Sequence, residues 1–111
     1  MSFKIIPTRN FEREAKKLAK KYVSLKSDFK ILFSSLIENP DQGVEIYKNC
    51  YKIRFAIKSK NKGKSGGGRL IFFLKRIENK IYLLSVFDKS EQETISDKFL
   101  KELFISMEIK D

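Results

Sequence analysis

At Tyr51 the apolar pattern of this chain changes period, and that change constrains the fold more than any other feature. Upstream, Phe11, Ala15, Leu18 and Tyr22 recur at helical steps, with Glu12, Arg13, Lys16, Lys17, Lys20 and Lys21 between them, which gathers the apolar side chains on one helix face. Leu25, Phe29, Leu32, Phe33, Leu36 and Ile37 continue that period to Asn39-Pro40, where a residue preceding proline is driven out of the helical region. Downstream, Tyr51, Ile53, Phe55 and Ile57 alternate with Lys52, Arg54, Ala56 and Lys58, so neighbours point to opposite faces of an extended strand. Helices come first and strands after, which specifies an α+β chain.

The remaining elements follow from turn and cap chemistry. Phe3 to Ile6 reads as a short strand closed by Pro7, with Thr8 or Asn10 as the cap of the first helix and Ser24 as the cap of the second. The two helices then form a hairpin that lays its apolar faces on a sheet. Residues 41 to 49 lack a clear period and are expected to form a loop, although Val44, Glu45 and Ile46 can pair briefly. Ser59 to Gly68, rich in lysine and glycine, is expected to be a mobile basic hairpin loop. Arg69 opens Leu70 to Ile77, apolar on both faces like a covered central strand, and Glu78-Asn79-Lys80 turns into a last strand, Ile81 to Phe87. Ser90-Glu91-Gln92-Glu93 has capping-box spacing for a terminal helix, with a restart at Ser96 as the alternative and Phe99, Leu103, Phe104 and Met107 as its stripe. The expected order is β-α-α-β-β-β-α: an antiparallel sheet, an N-terminal helix hairpin packed on it and a C-terminal helix, in one domain over residues 1–111. With 41% hydrophobic residues there is enough material for a core.

The net charge of +10 is concentrated in one segment. No acid lies between Glu45 and Glu78, whereas Lys48, Lys52, Arg54, Lys58, Lys60, Lys62, Lys64, Arg69, Lys75 and Arg76 do, and the basic residues outside that stretch equal the 14 acids. A cationic cluster of that kind recruits polyanions. Cys50, the single cysteine, cannot form an internal disulfide. The residues after Met1 lack the apolar stretch of a signal peptide, and no run approaches the ~20 residues of a membrane helix, so a soluble protein of the reducing cytoplasm is expected.

Cys50-Tyr51-Lys52-Ile53-Arg54 after a helix hairpin, the basic loop, Gly68-Arg69-Leu70-Ile71 and a strand ending in Asp88-Lys89 together resemble the RelE/ParE toxin superfamily of toxin-antitoxin systems. Ser59 to Gly67 is similar to a subgroup related to HigB toxins. The resemblance implies a compact sheet flanked by helices, a metal-independent endoribonuclease acting on messenger RNA at the ribosome, and an acidic antitoxin that silences it. It implies no cofactor, and it assigns the active surface to Lys52, Arg54 and Arg69. Ser90 stands where many members carry a second arginine, and the one tyrosine after Arg69 is Tyr82.

Metal-independent RNA cleavage requires a base for the 2′-hydroxyl, charge on the phosphorane and an acid for the leaving oxygen. The chain has no histidine. A lysine crowded by cations loses basicity and can shuttle the proton, which suits Lys52 first and Lys58 second. Arginine keeps its charge and binds phosphate bidentately, so Arg54 and Arg69 suit charge clamping. Lys60, Lys62 and Lys64 in the loop, with Lys89, are expected to bind RNA or ribosomal backbone. The plainer alternatives are a solvated loop for Lys60 to Lys64 and an exposed strand face for Lys52 and Arg54; for Cys50 a small packing residue is the better reading. The basic segment has no carboxylates to converge on a metal, and Gly63-Lys64-Ser65 lacks the glycine that a phosphate-binding P-loop needs where Lys58 stands. A non-catalytic RNA binder and a gyrase-directed toxin of the same fold remain open beside the ribonuclease.

Overall fold

The computed structural model describes residues 2–107, the side chain of Met107 lying outside the described part. The elements are β1 (Lys4–Pro7), α1 (Arg9–Lys21), α2 (Leu25–Glu38), β2 (Val44–Tyr47), β3 (Cys50–Phe55), β4 (Gly68–Lys75), β5 (Lys80–Asp88) and α3 (Asp97–Met107). The strands form one sheet in the order β1-β5-β4-β3-β2. This is the expected α+β arrangement with two refinements. The segment read as a loop contributes β2, an edge strand antiparallel to β3, and β1 runs parallel to β5, so the sheet is mixed. Alternation reveals that a strand exists and not which strand it will lie beside.

Thr8 begins α1 as anticipated. Its hydroxyl oxygen accepts the Phe11 N–H at 3.3 Å while its hydroxyl donates to the Leu83 carbonyl at 2.7 Å, tying the helix start to β5. Ser24 stands at the start of α2, but its hydroxyl donates to the Asp28 carboxylate at 2.7 Å instead of capping the helix.

Each face of the sheet has its own core. Phe11 and Leu18 of α1 and Leu25, Leu32 and Leu36 of α2 cover Leu70, Phe72 and Leu74 of β4 and Ile81, Leu83 and Val86 of β5. On the opposite face Ile71, Leu84 and Phe87 meet Ile95, Leu100 and Leu103 from α3 and the segment before it. This double cover explains why β4 reads as a continuous apolar run. Burying one such Leu or Phe side chain contributes about 1.5–3 kcal/mol, so the two cores together hold the sheet against the entropy of ordering it.

The ends of β3 and β4 fall short of expectation, β4 stopping at Lys75 instead of Ile77 because a 3-10 turn takes Arg76–Glu78, and α3 follows the alternative start at Ser96. β3 ends at Phe55, because the chain turns into a 3-10 turn over Lys58–Lys60 and then takes a left-handed conformation at Asn61. At the other end α3 starts at Asp97, where the Ser96 hydroxyl oxygen accepts the Phe99 N–H at 3.1 Å. Ser90 caps nothing helical; its N–H and hydroxyl both donate to the Asp88 carboxylate, which closes a turn after β5. Residues 89–96 therefore cross as a strap from the end of β5 to α3.

Candidate functional site

The alternation that buries Tyr51, Ile53 and Phe55 of β3 against the helix hairpin turns Lys52 and Arg54 to the face that α3 shares. Across the antiparallel β3–β4 ladder Arg54 pairs with Arg69 and Lys52 with Ile71, so the three cations named from sequence lie on one face. They line a cleft of about 430 Å³ together with Gly43, Val44 and Ile46 around β2, Glu93 of the strap and Lys64. Like charges directly opposite on neighbouring strands repel, so an anion between them is favoured.

Arg69 is not a free charge. Its side chain is 2% exposed. Nη1 donates to the carbonyls of Gly68 at 3.0 Å and Lys64 at 3.2 Å, and Nη2 to that of Ser65 at 3.2 Å. Glu93 lies 3.9 Å from Nη2. Burial lowers the pKa of Arg69, Glu93 opposes that and Arg54 adds to it. A guanidinium nevertheless stays charged, and here it binds the main chain of the basic loop as a phosphate would otherwise be bound. Lys52 is half-buried and donates from Nζ to the Glu93 carbonyl at 3.2 Å, while Arg54 is exposed.

The other candidates separate from this group. Lys58 lies past the end of β3, so it does not share the strand face of Lys52 and Arg54; its N–H donates to the buried Asp28 carboxylate at 3.2 Å. It borders an adjoining cleft of about 240 Å³ together with Asp28, Ile31 and Phe55, and Arg54 and Lys64 line both clefts. Lys60 departs furthest from the expected backbone-tracking role: its side chain is 7% exposed and its ammonium sits 2.5 Å from the fully buried carboxylate of Asp88. The Tyr22 hydroxyl donates to the same carboxylate, and Lys21 approaches it at 3.7 Å. Burial by itself would raise the pKa of Asp88, but Lys60, Tyr22 and Ser90 outweigh it and hold the carboxyl well below its usual range. Lys62 and Lys64 are exposed, and Lys89 is half-exposed, 3.9 Å from Glu93.

The loop expected to be mobile is thus pinned at three points: Lys60 on Asp88, the Lys58 N–H on Asp28, and the Lys64, Ser65 and Gly68 carbonyls on Arg69. Glycines made it look unstructured, whereas two of them permit its close approach to β3. A Cβ on Gly67 would stand 2.2 Å from the Phe55 carbonyl oxygen, and one on Gly68 2.5 Å from the Phe55 ring. Asp88 and Glu93 are the residues that sequence reasoning missed. Their signal was present as the acids that follow the basic segment, but charge order along a chain does not disclose which charges meet. Tyr82 packs on Phe73 with ring centroids 6.1 Å apart, in the α3 core and away from the cleft.

Among the described residues no group of three or more His, Cys, Asp or Glu side chains converges, and no helix is long and apolar enough to cross a membrane. The profile of the RelE toxin of the RelE/RelB toxin-antitoxin system matches residues 3–107. Among solved structures, a double-arginine mutant of the E. coli toxin RelE in the free state superposes with a TM-score of 0.63 at 15% identity, over 96% of this chain and 99% of that one. The same mutant in complex with a peptide of the antitoxin RelB gives 0.59 at 17% identity, over 92% and 94%. The RelBE2 toxin-antitoxin complex from Mycobacterium tuberculosis gives 0.56 at 14% identity, over 79% and 99%. At these identities the superpositions establish the fold.

Proposed function

This chain belongs to the RelE toxin family of toxin-antitoxin systems, and we propose that it is a single-domain, cytoplasmic, ribosome-dependent endoribonuclease that cuts messenger RNA without a metal and is silenced by an acidic antitoxin. The observation that carries this reading is the cleft in which Lys52, Arg54 and Arg69 share one face of the sheet. Cleavage proceeds by attack of the 2′-oxygen on the adjacent phosphorus as its proton passes to a base, and by departure of the 5′-oxygen as it takes up a proton, leaving a 2′,3′-cyclic phosphate. Lys52, whose ammonium donates to the Glu93 carbonyl of the strap, is our candidate for moving the proton. Arg54, exposed at the cleft, holds the phosphate oxygens, and Arg69 contributes its charge from the floor while ordering the loop. Lys62, Lys64 and Lys89 contact backbone phosphates or ribosomal RNA. Lys58 and Lys60 are assigned supporting roles in loop placement, in keeping with their contacts to Asp28 and Asp88.

The test is messenger cleavage mapped in a purified translation reaction, with and without ribosomes, for the parent, Lys52→Ala and Arg54→Ala. Loss of a proton-transfer group costs about 10²–10⁴ in rate, so ribosome-dependent cuts should vanish in folded Lys52→Ala and weaken in Arg54→Ala. A folded parent that makes no cuts with ribosomes present defeats the ribonuclease reading, and a supercoiling assay then tests action on gyrase.

A further inference from the structure

One acidic residue stands in the cationic cleft, and it engages three separate cations. The Glu93 carboxylate lies 3.9 Å from Arg69 Nη2 through one oxygen and 3.9 Å from Lys89 Nζ through the other, and the Glu93 main-chain carbonyl accepts from Lys52 Nζ at 3.2 Å. Its side chain is 62% exposed. The strap that carries it is fastened at both ends. At the start, the N–H groups of Glu91 and Gln92 donate to the Asp88 carbonyl at 3.0 and 3.2 Å, and the Lys89 N–H to that of Gly67 at 3.1 Å. At the far end Ile95 is buried against α3 and Ser96 caps the helix.

We propose that Glu93 is an internal anion occupying the position that an RNA phosphate takes in the cleft, so that substrate binds by displacing it. The assignment rests on the ribonuclease reading for the identity of the incoming anion, and on the contacts alone for the competition. A carboxylate at these distances compensates Arg69 and Lys89 in the free protein and is held loosely enough to leave. A phosphate oxygen reaching Arg69 must meet the same guanidinium edge, and while both anions are present they repel. The device keeps the cleft from binding polyanions indiscriminately: only a ligand that brings further contacts, as messenger on the ribosome does, recovers what it loses against Glu93.

Glu91 supplies an internal control. It lies two residues away on the same strap, but its carboxylate pairs with Lys21 at 3.0 Å, on the hairpin side. Glu91→Gln and Glu93→Gln therefore change net charge equally and differ only in which cations they release. The measurement is the affinity of parent and both variants for inorganic pyrophosphate, and for a short single-stranded RNA made uncleavable by 2′-O-methylation, across a salt series. Two long ion pairs, each made by the solvent-exposed Glu93 carboxylate, predict that Glu93→Gln tightens both ligands about three- to tenfold, with Glu91→Gln within about twofold of the parent. Removing the competing negative charge leaves one more unit of positive charge for the RNA to neutralise, which steepens the salt dependence of RNA binding by about 0.7 in logarithmic slope. If the two variants tighten pyrophosphate equally, or neither does, the proposal is overturned. If pyrophosphate responds to Glu93→Gln as expected while no form binds RNA, the internal anion stands and the ribonuclease reading falls.

Discussion

Replacing Asp88 with asparagine removes one charge from the fully buried centre that holds the basic loop. The carboxylate there takes the Lys60 ammonium at 2.5 Å, the Ser90 N–H at 3.0 Å, the Ser90 hydroxyl at 2.8 Å and the Tyr22 hydroxyl. Asparagine keeps the volume and one acceptor oxygen, but it points an amide donor into a ring of donors and leaves Lys60 without a counter-charge. Breaking a buried ion pair from one side costs about 3–5 kcal/mol; because Lys60 sits in a loop that can carry it outward, the lower end is expected, about 3 kcal/mol. That is a large part of the ~5–15 kcal/mol that holds a typical domain together.

The dependence on pH has a definite sign. Asp88 is a carboxyl whose folded-state pKa is depressed, since its donors outweigh the effect of burial. Its contribution is therefore complete above the unfolded value near ~3.9 and is lost as pH falls through the folded value. Urea denaturation followed by circular dichroism should show the full gap between parent and Asp88→Asn at about pH 7 and a narrower one at about pH 3. Combining Asp88→Asn with Lys60→Met should cost less than the two single changes added, because the second removes the charge that the first orphans. A loss under about 1 kcal/mol at neutral pH, or a gap that does not narrow in acid, refutes the reading that Asp88 pins the basic loop through Lys60.

Two further outcomes test other parts of the structure. Gly67→Ala forces a Cβ against the Phe55 carbonyl, 2.2 Å away before relaxation, and should destabilise by about 1–3 kcal/mol in a thermal melt; an unchanged midpoint would show that the loop does not lie against β3. Cys50 is fully buried, and burial, with Glu45 adding to it, pushes its thiol up to about 12. Alkylation by iodoacetamide at about pH 8 should therefore be slower in the folded protein than in urea by on the order of a thousandfold, and comparable rates would place Cys50 at the surface.

Much of the fold was legible because it depends on short-range pattern. The helical steps from Phe11 to Ile37 and the alternation from Tyr51 to Phe55 each fix which side chains face a core, and the sheet and hairpin follow from them. The grouping of Lys52 with Arg54 is legible for the same reason, two residues apart being one strand face. Arg69 joins them only through the register of β3 on β4, which local pattern does not contain; the resemblance implied the grouping without the register.

Tertiary structure decided the rest, because it turned on partners far apart in the chain. The basic segment had one sign of charge and glycine in abundance, and by itself it described a solvated loop; Asp88, 28 residues from Lys60, and the Arg69 guanidinium converted it into a pinned one. The parallel placement of β1 beside β5 and the pairing of β2 rest on neighbours that no window of sequence includes. Ser90 and Glu93 had the spacing of a helix cap, but the buried carboxylate of Asp88 claims Ser90 and the cationic cleft claims Glu93. Sequence determined which faces are apolar and where positive charge accumulates; folding determined which of those charges are consumed by the protein's own acids and carbonyls and which remain available to a substrate.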